Sequence, residues 1–445
     1  MLGVRSIFGG INWREFAPVL VIVANSLIWY ASTYSVFSSQ IEKLDLDIFI
    51  EILLFGVFFA AIAVSAFIGG WLFPRQRKIG LASWIVFGAI MTLALVTIPS
   101  NNLYVNFILS LLLGLSVGMG LPSTLAYFAD VTRITTRGFL GGITWCTFGF
   151  GVLAVVYLVN IVEPTLGLEL LALWRIVGLL LFLALVPKKQ ESIPKKSSES
   201  YRRILARRDI ILYLIPWTMF SIVNFAESPI AANVLGDSAE LAGFITFALS
   251  GIFAIIGGVL ADRVGRKRIV IAGFVIFGIE YAVLSLFSDN PFAQAIYIGF
   301  DSAAWGMFAA VFFMTLWGDL SEAFQKEKYY VLGGLPYLFL SFLPILINPF
   351  KDSIQAPTAF SIASFFLFVA VLPLIYAPET LPEKMMKDRD LKSYIDKAKR
   401  IAEKESEKDQ KQQTEQNENQ EEDSTKETEE SPEDKKAREL AEKYY

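Results

Sequence analysis

Long apolar runs separated by short polar loops make up the first 380 residues. A helix that crosses a bilayer needs about 20 predominantly apolar residues. On that rule twelve runs qualify, at roughly 15–37, 48–72, 79–98, 103–128, 139–162, 167–186, 210–235, 240–261, 269–287, 292–317, 329–349 and 357–377. Pro and Gly occur inside several of them. They do not veto a span, because buried neighbours can satisfy freed backbone groups. The pattern changes after residue 380. Leu391, Tyr394, Ile395, Ala398 and Ile401 keep helical spacing, which predicts an amphipathic helix or coiled coil over about 383–407. Residues 403–434 are rich in Glu, Gln, Lys and Asn, with too few apolar groups to offset the entropy of ordering. A short helix is possible over 435–444.

The widest gap, Pro187–Asp209, follows the sixth run and divides the chain into six plus six. The expected organisation is a six-helix bundle at 1–186, a basic linker at 187–209, a second bundle at 210–380 and a charged tail at 381–445, helical and then largely disordered. Within the linker, Tyr201–Asp209 can lie on a membrane surface with Tyr201, Ile204 and Leu205 facing down, or simply be solvated. The halves read as weak repeats. Pro18 and Asn25 in run one are matched by Pro216 and Asn224 in run seven. Phe128–Asp130 precedes Gly141-Gly142 as Trp317–Asp319 precedes Gly333-Gly334.

Charge sets the orientation. Alternate loops carry Arg75, Arg77 and Lys78; Arg133 and Arg137; the linker cations; Arg263–Arg268; and Lys326 and Lys328. The intervening loops offer only Lys43 and Lys351. Basic loops stay in the cytoplasm. Both chain ends are therefore expected there, in a multi-pass protein of the plasma membrane. The net charge of −4 hides two regimes: 24 basic and 22 acidic residues up to 378, then 15 and 21. A cytoplasmic partner for the acidic tail is one reading, and a solvated extension is the blander one.

The basic turn between runs eight and nine reads GGVLADRVGRKR, Gly257–Arg268. It resembles the G-x-L-x-D-R-x-G-R-[KR] signature of the major facilitator superfamily of secondary transporters. Gly258, Leu260, Asp262, Arg263, Gly265, Arg266 and Lys267 match it position by position. Glu379-Thr380 after Pro378 is similar to the P-E-T that closes many sugar and organic-ion porters of that family. The resemblance implies an all-α membrane protein of two pseudo-symmetric six-helix bundles, with a charge network at the cytoplasmic face. Asp319 is then the expected partner for Arg263 or Arg266. The first-half counterpart departs from the signature: in Gly69–Lys78, Pro74 stands where the acid belongs. That puts the first-half network in doubt, although Asp130 could pair with Arg75.

Chemistry is narrowed by what is missing. The chain has no His and one cysteine, Cys146. Proton transfer therefore falls to carboxylates, and no intrachain disulfide can form. No metal-ligand spacing and no phosphate-cradling loop occur, so no cofactor, metal, enzymatic activity or ATP-driven pumping is expected. No feature points to nucleic acid. The N-terminus has no small-residue cleavage site and is not expected to be a cleaved signal.

Charges within spans are the functional candidates. They are Arg175, Glu227, Glu280 and Asp301. In the family's arrangement helices one, four, seven and ten line the cavity. By that resemblance Glu227 and Asp301 face it, while Arg175 and Glu280 lie outside. Glu227 has Asn224, Ser228 and Pro229 beside it, and Asp301 has Trp305 one turn on. Each is a candidate for proton coupling or for a structural hydrogen bond. Arg175 reads as packing or snorkelling and Glu280 as structural. Asn25, Trp29, Tyr30, Tyr34, Trp145, Trp217 and Tyr337 could line a pocket for a sugar or ring-bearing ion, although Trp and Tyr near span ends, Trp217 and Tyr34 especially, also serve as interface anchors. The expected function is secondary transport of a small organic solute by alternating access, coupled to protons. The rivals are an exporter on the same fold and a non-transporting receptor or scaffold acting through the tail.

Overall fold

The computed structural model describes residues 11–97, 102–186, 199–321, 326–381 and 431–444, with single positions at 391, 395 and 399. The described residues form helices and no strand. The first half contributes α1 (Trp13–Glu42), α2 (Ile48–Leu72), α3 (Arg77–Thr97), α4 in two pieces (Leu103–Gly118 and Leu121–Val131), α5 (Arg137–Ile161) and α6 (Pro164–Leu185). The second contributes α7 (Arg208–Leu235), α8 (Ala239–Val264), α9 (Arg266–Leu286), α10 (Pro291–Phe308, continuing to Leu320), α11 (Lys326–Leu340 and Leu343–Ile347) and α12 (Ala356–Val369 and Val371–Tyr376). Among the described residues eleven stretches are long and apolar enough to cross a membrane. One of them, Arg208–Val264, is two helices joined by a single turn, Gly236–Ser238, so the spans number twelve.

Local chemistry explains the boundaries. Asp47, Asn102 and Asn290 accept backbone N–H bonds from Phe49, Tyr104 and Phe292 and so cap α2, α4 and α10. Pro164 and Pro291 open α6 and α10, where no N–H is needed. The α8–α9 reversal depends on Gly265, whose φ of 106° disfavours any side chain. Breaks inside the spans were not foreseen as breaks. α4 is interrupted beside Gly120, which lies against the Trp84 ring. α10 widens to a π-helix over Ala309–Thr315.

Packing repeats with a shift of six helices. α2 packs on α4 as α8 does on α10, α3 on α6 as α9 on α12, and α1 on α6 as α7 on α12. The halves meet where α5 lies along α8 and α2 along α11. Glycines allow this closeness: Gly142 faces the Ala254 backbone, and Gly258 faces the backbone of Gly138. Large apolar side chains such as Trp71, Ile90, Leu180 and Phe365 cover the outside, as a lipid-facing surface requires.

The short helix Tyr201–Leu205 buries Ile204 completely and packs Tyr201 on Phe67, at 5.2 Å. Leu205, expected to face down with them, is exposed. Residues 187–198 of the linker lie outside the described residues. So does the 383–407 helix apart from Leu391, Ile395 and Lys399, and so does 403–430. The tail forms a unit of its own from Pro382, and within it Pro432–Tyr444 is a helix, where a short one was possible.

Candidate functional site

At the basic end of the spans an ion-pair network joins the halves. Asp262, at the end of α8, accepts from the backbone N–H groups of Gly138 (3.0 Å) and Phe139 (2.8 Å). These are orphan donors of the first turn of α5, where the helix dipole also favours an anion. Arg266 binds Asp262 at 2.6 Å and Asp319 at 3.1 Å, and Arg137 closes on the same Asp319. Asp319 is thus the partner of Arg266, one of the two expected, with Arg137 as a partner that sequence reading missed. The Glu379 carboxylate lies against Gly265 and accepts from the N–H groups of Arg266 (2.8 Å) and Lys267 (3.2 Å), so the P-E-T segment caps α9.

The first half solves the same problem differently. Pro74 leaves no carboxylate to cap α11, and α11 supplies its own, Glu327, in its first turn. Arg77 bridges Glu327 and Asp130 (2.6 Å), and Lys326 reaches Asp130 at 2.7 Å. Asp130 therefore does not pair with Arg75, which lies over Trp71 at 5.8 Å. One turn of chain places Arg77, not Arg75, at the helix start facing inward. Beside this network Arg207 grips Asp209 (2.6 Å) and Tyr329 (2.6 Å), and its guanidinium is held charged above its ordinary range first by the Asp209 hydrogen bonds. Burial, and then the Glu327 charge, push the Tyr201 hydroxyl up to about 12.

A second cluster lies deeper, where aromatic residues of both halves meet. Trp305 of α10 donates to the Asn224 side chain on α7 at 3.2 Å. Tyr337 of α11 lies 5.8 Å from the Trp305 ring and 5.6 Å from Phe313. Phe313 in turn meets Trp145 of α5 at 5.4 Å. Tyr30 of α1 is within electrostatic reach of Tyr337 and Ser341, and its ring is 6.3 Å from Tyr34. Asn224, Trp305, Tyr337, Tyr30 and Tyr34 are half-buried, which leaves amide and hydroxyl tips available beside ring faces. Trp217 is no interface anchor. It is 1% exposed, donates to the Gly333 carbonyl at 2.7 Å and stacks on Phe312.

Asn25 and Trp29 do not join this cluster. Both are buried around Arg175, which neither snorkels nor reaches solvent. The guanidinium lies 4.3 Å from the Trp29 ring and 4.7 Å from Trp84. It donates to Asn25 Oδ1 (3.1 Å) and Ser26 Oγ (2.8 Å), while Asn25 donates to the Trp174 carbonyl at 2.7 Å. Trp29 spends its N–H on Thr92. These residues form a clasp between α1, α3 and α6.

The span carboxylates of the second half, Glu227, Glu280 and Asp301, are all buried. Glu227 lines a cavity of about 470 Å³ formed with Ser353, Gln355, Thr358 and Ile362, between α7 and the α11–α12 segment. It therefore faces a pocket within the second half. Glu280, expected to lie outside the central cavity and to be structural, is fully buried and within electrostatic reach of Asp301. Among the described residues no three Asp, Glu or Cys side chains gather closely enough to hold a metal ion.

An ion-pair network at one end, a polar aromatic cluster between two halves and packing repeated six helices on are the anatomy of a carrier. The family model described as Major Facilitator Superfamily matches residues 7–329. The chain belongs to the Major Facilitator Superfamily. A glucose transporter of Staphylococcus epidermidis, GlcP, is 21% identical over 428 residues, spanning 82% of this chain and 94% of that protein. As a superfamily member the protein is a multi-pass membrane transporter. Its signature turn Gly258–Lys267 supplies Asp262 and Arg266 to the ion-pair network just described.

Proposed function

We propose that this transporter carries a small organic solute, with sugars as the leading class, by alternating access between its two halves and in symport with protons. The observation that carries this reading is the aromatic cluster. Asn224, Trp305 and Tyr337 of one half face Tyr30 and Trp145 of the other. A pyranose presents an apolar face and a rim of hydroxyls, and such a site offers ring faces with amide and hydroxyl tips. The distant likeness to a glucose transporter supports the same class.

The ion pairs at the basic end support alternating access. They hold α5 on α8 and the start of α3 on α11, and they must separate for the solute to leave on that side. The reading puts that side in the cytoplasm, with both chain ends, in a plasma-membrane protein. It takes residues 1–186 and 210–380 as the moving bodies, 187–209 as their tether and the tail as a cytoplasmic extension. The missing first-half acid favoured a scaffold that does not transport. The Arg77–Glu327–Asp130–Lys326 set takes its place and weakens that rival.

The test is uptake of labelled glucose, with other monosaccharides and organic acids in parallel, into proteoliposomes under an inward proton gradient. Accumulation above the external concentration is expected, and Glu227→Gln should abolish it while leaving downhill exchange. Full uphill accumulation by Glu227→Gln would remove that carboxylate from the mechanism.

A further inference from the structure

Glu280 lies on α9 with no exposed surface, and neither of its carboxylate oxygens has a hydrogen-bond partner among the described residues. A carboxylate so placed is tolerable only with a proton or a cation on it, because an unpaired buried charge costs several kcal/mol. Among the described residues its surroundings bring no cation. α10 contributes Asp301 and Tyr297, α7 contributes Glu227, and α12 has no titratable side chain in Ala356–Val369. On α8 the ionisable residues, Glu240, Asp262 and Arg263, stand at the helix ends. The basic start of α9 is about 20 Å away along the helix, at 1.5 Å per residue. Three carboxylates do not converge on one point, which disfavours a metal ion.

What does converge is a pair of phenols. Tyr281 and Tyr297 face each other with ring centroids 6.0 Å apart. Each is within electrostatic reach of Glu227, Glu280 and Asp301 alike. Tyr297 and Asp301 are one helical turn apart and share a face of α10. Glu227 leaves Oε2 without a partner among the described residues and lines the cavity closed by Ser353, Gln355 and Thr358. Asn224, one turn before Glu227, holds the Trp305 N–H at the aromatic cluster.

We propose that Glu227, Tyr281, Tyr297, Asp301 and Glu280 form a proton relay inside the second half, loaded from the cavity at Glu227 and storing its proton on Glu280. Only O–H bonds change. Glu227 takes a proton from a hydronium ion in the cavity and leaves water behind. A phenol accepts that proton on its oxygen as it gives its own to Asp301. A side-chain rotation that brings Glu280 into hydrogen-bond reach hands it on, since Glu280 has no such partner at rest among the described residues. Unloading runs the same steps backwards, and no co-reactant is needed. This deepens the proton-coupled reading and rests on it, adding Glu280 and two tyrosines to the groups that carry the ion.

The test needs no solute. The full chain is placed in lipid vesicles, and infrared difference spectra follow protonated carboxyl groups during pH titration and during transfer from H₂O to D₂O. The expected result is a protonated-carboxyl band that Glu280→Gln removes. Its deuterium shift should slow by about a hundredfold or more in Glu227→Gln and Tyr297→Phe, the lower range for loss of a positioned proton-transfer group. Where Glu280→Gln fails to fold, Glu280→Asp should keep the band and move it. The relay is overturned if the band survives in Glu280→Gln, if exchange is as fast in both relay variants as in the parent, or if sodium at constant pH discharges it. A normal band and slowed exchange in a protein whose uptake ignores the proton gradient would uphold the relay and sink the coupling.

Discussion

Arg175 in the first half and Glu280 in the second are both fully buried, and neither faces an opposite charge. Arg175 is nevertheless accommodated. Two indole faces and the Asn25 and Ser26 oxygens take part of its charge, although its Nε and Nη2 make no hydrogen bond. Glu280 has no such shell. An aromatic face attracts a cation and repels an anion, so the rings that settle a guanidinium cannot settle a carboxylate. The difference teaches that buried charge alone does not mark function. The charge with a fitted environment is architecture, and the one lacking it is free to exchange a proton.

Three substitutions would break or sharpen that contrast. The largest effect belongs to Asp319, the matched case, which is buried between Arg137 and Arg266. Asp319→Asn takes the carboxylate from Arg137 and leaves Arg266 with Asp262 alone, and should cost about 3 kcal/mol, the lower end of the range for breaking a buried pair. It reads as a fall in melting temperature in detergent and as α5 parting from α8 in cross-linking. Arg175→Lys should cost less, about 1–2 kcal/mol, because a compact, strongly hydrated ammonium cannot lie between Trp29 and Trp84 as the planar group does. A lysine variant as stable as the parent would deny the clasp. Glu280→Met should change stability by about 1 kcal/mol or less, or raise it, since no partner is stranded. A loss comparable to that of Asp319→Asn would mean that Glu280 has a structural partner and that the contrast is false.

Much of the frame was legible in the chain. Twelve apolar runs became twelve spans, and Asp262, Arg266 and Asp319 came together as the signature turn implied. What stayed hidden was rotation about each helix axis. Asn25 and Trp29 have the chemistry of pocket residues, yet they point at Arg175, 150 and 146 residues away in the chain. Residue type does not say which face of an apolar helix meets lipid and which meets a neighbour, since the mean polarity of the two is alike. The same limit left the pocket beside Glu227 out of view. The break at Gly120 comes just before Pro122, which has no N–H to continue the helix, and the π-turn at Ala309–Thr315 leaves no periodic trace.

The most direct test of the account is the pH of a lightly buffered proteoliposome suspension when glucose, or the best solute from the uptake screen, is added. The parent protein should draw protons in with the solute and turn the medium transiently alkaline, while Glu227→Gln and Glu280→Gln should give no pH change. Solute uptake by the parent with no alkaline transient, or an equal transient in both variants, would contradict it.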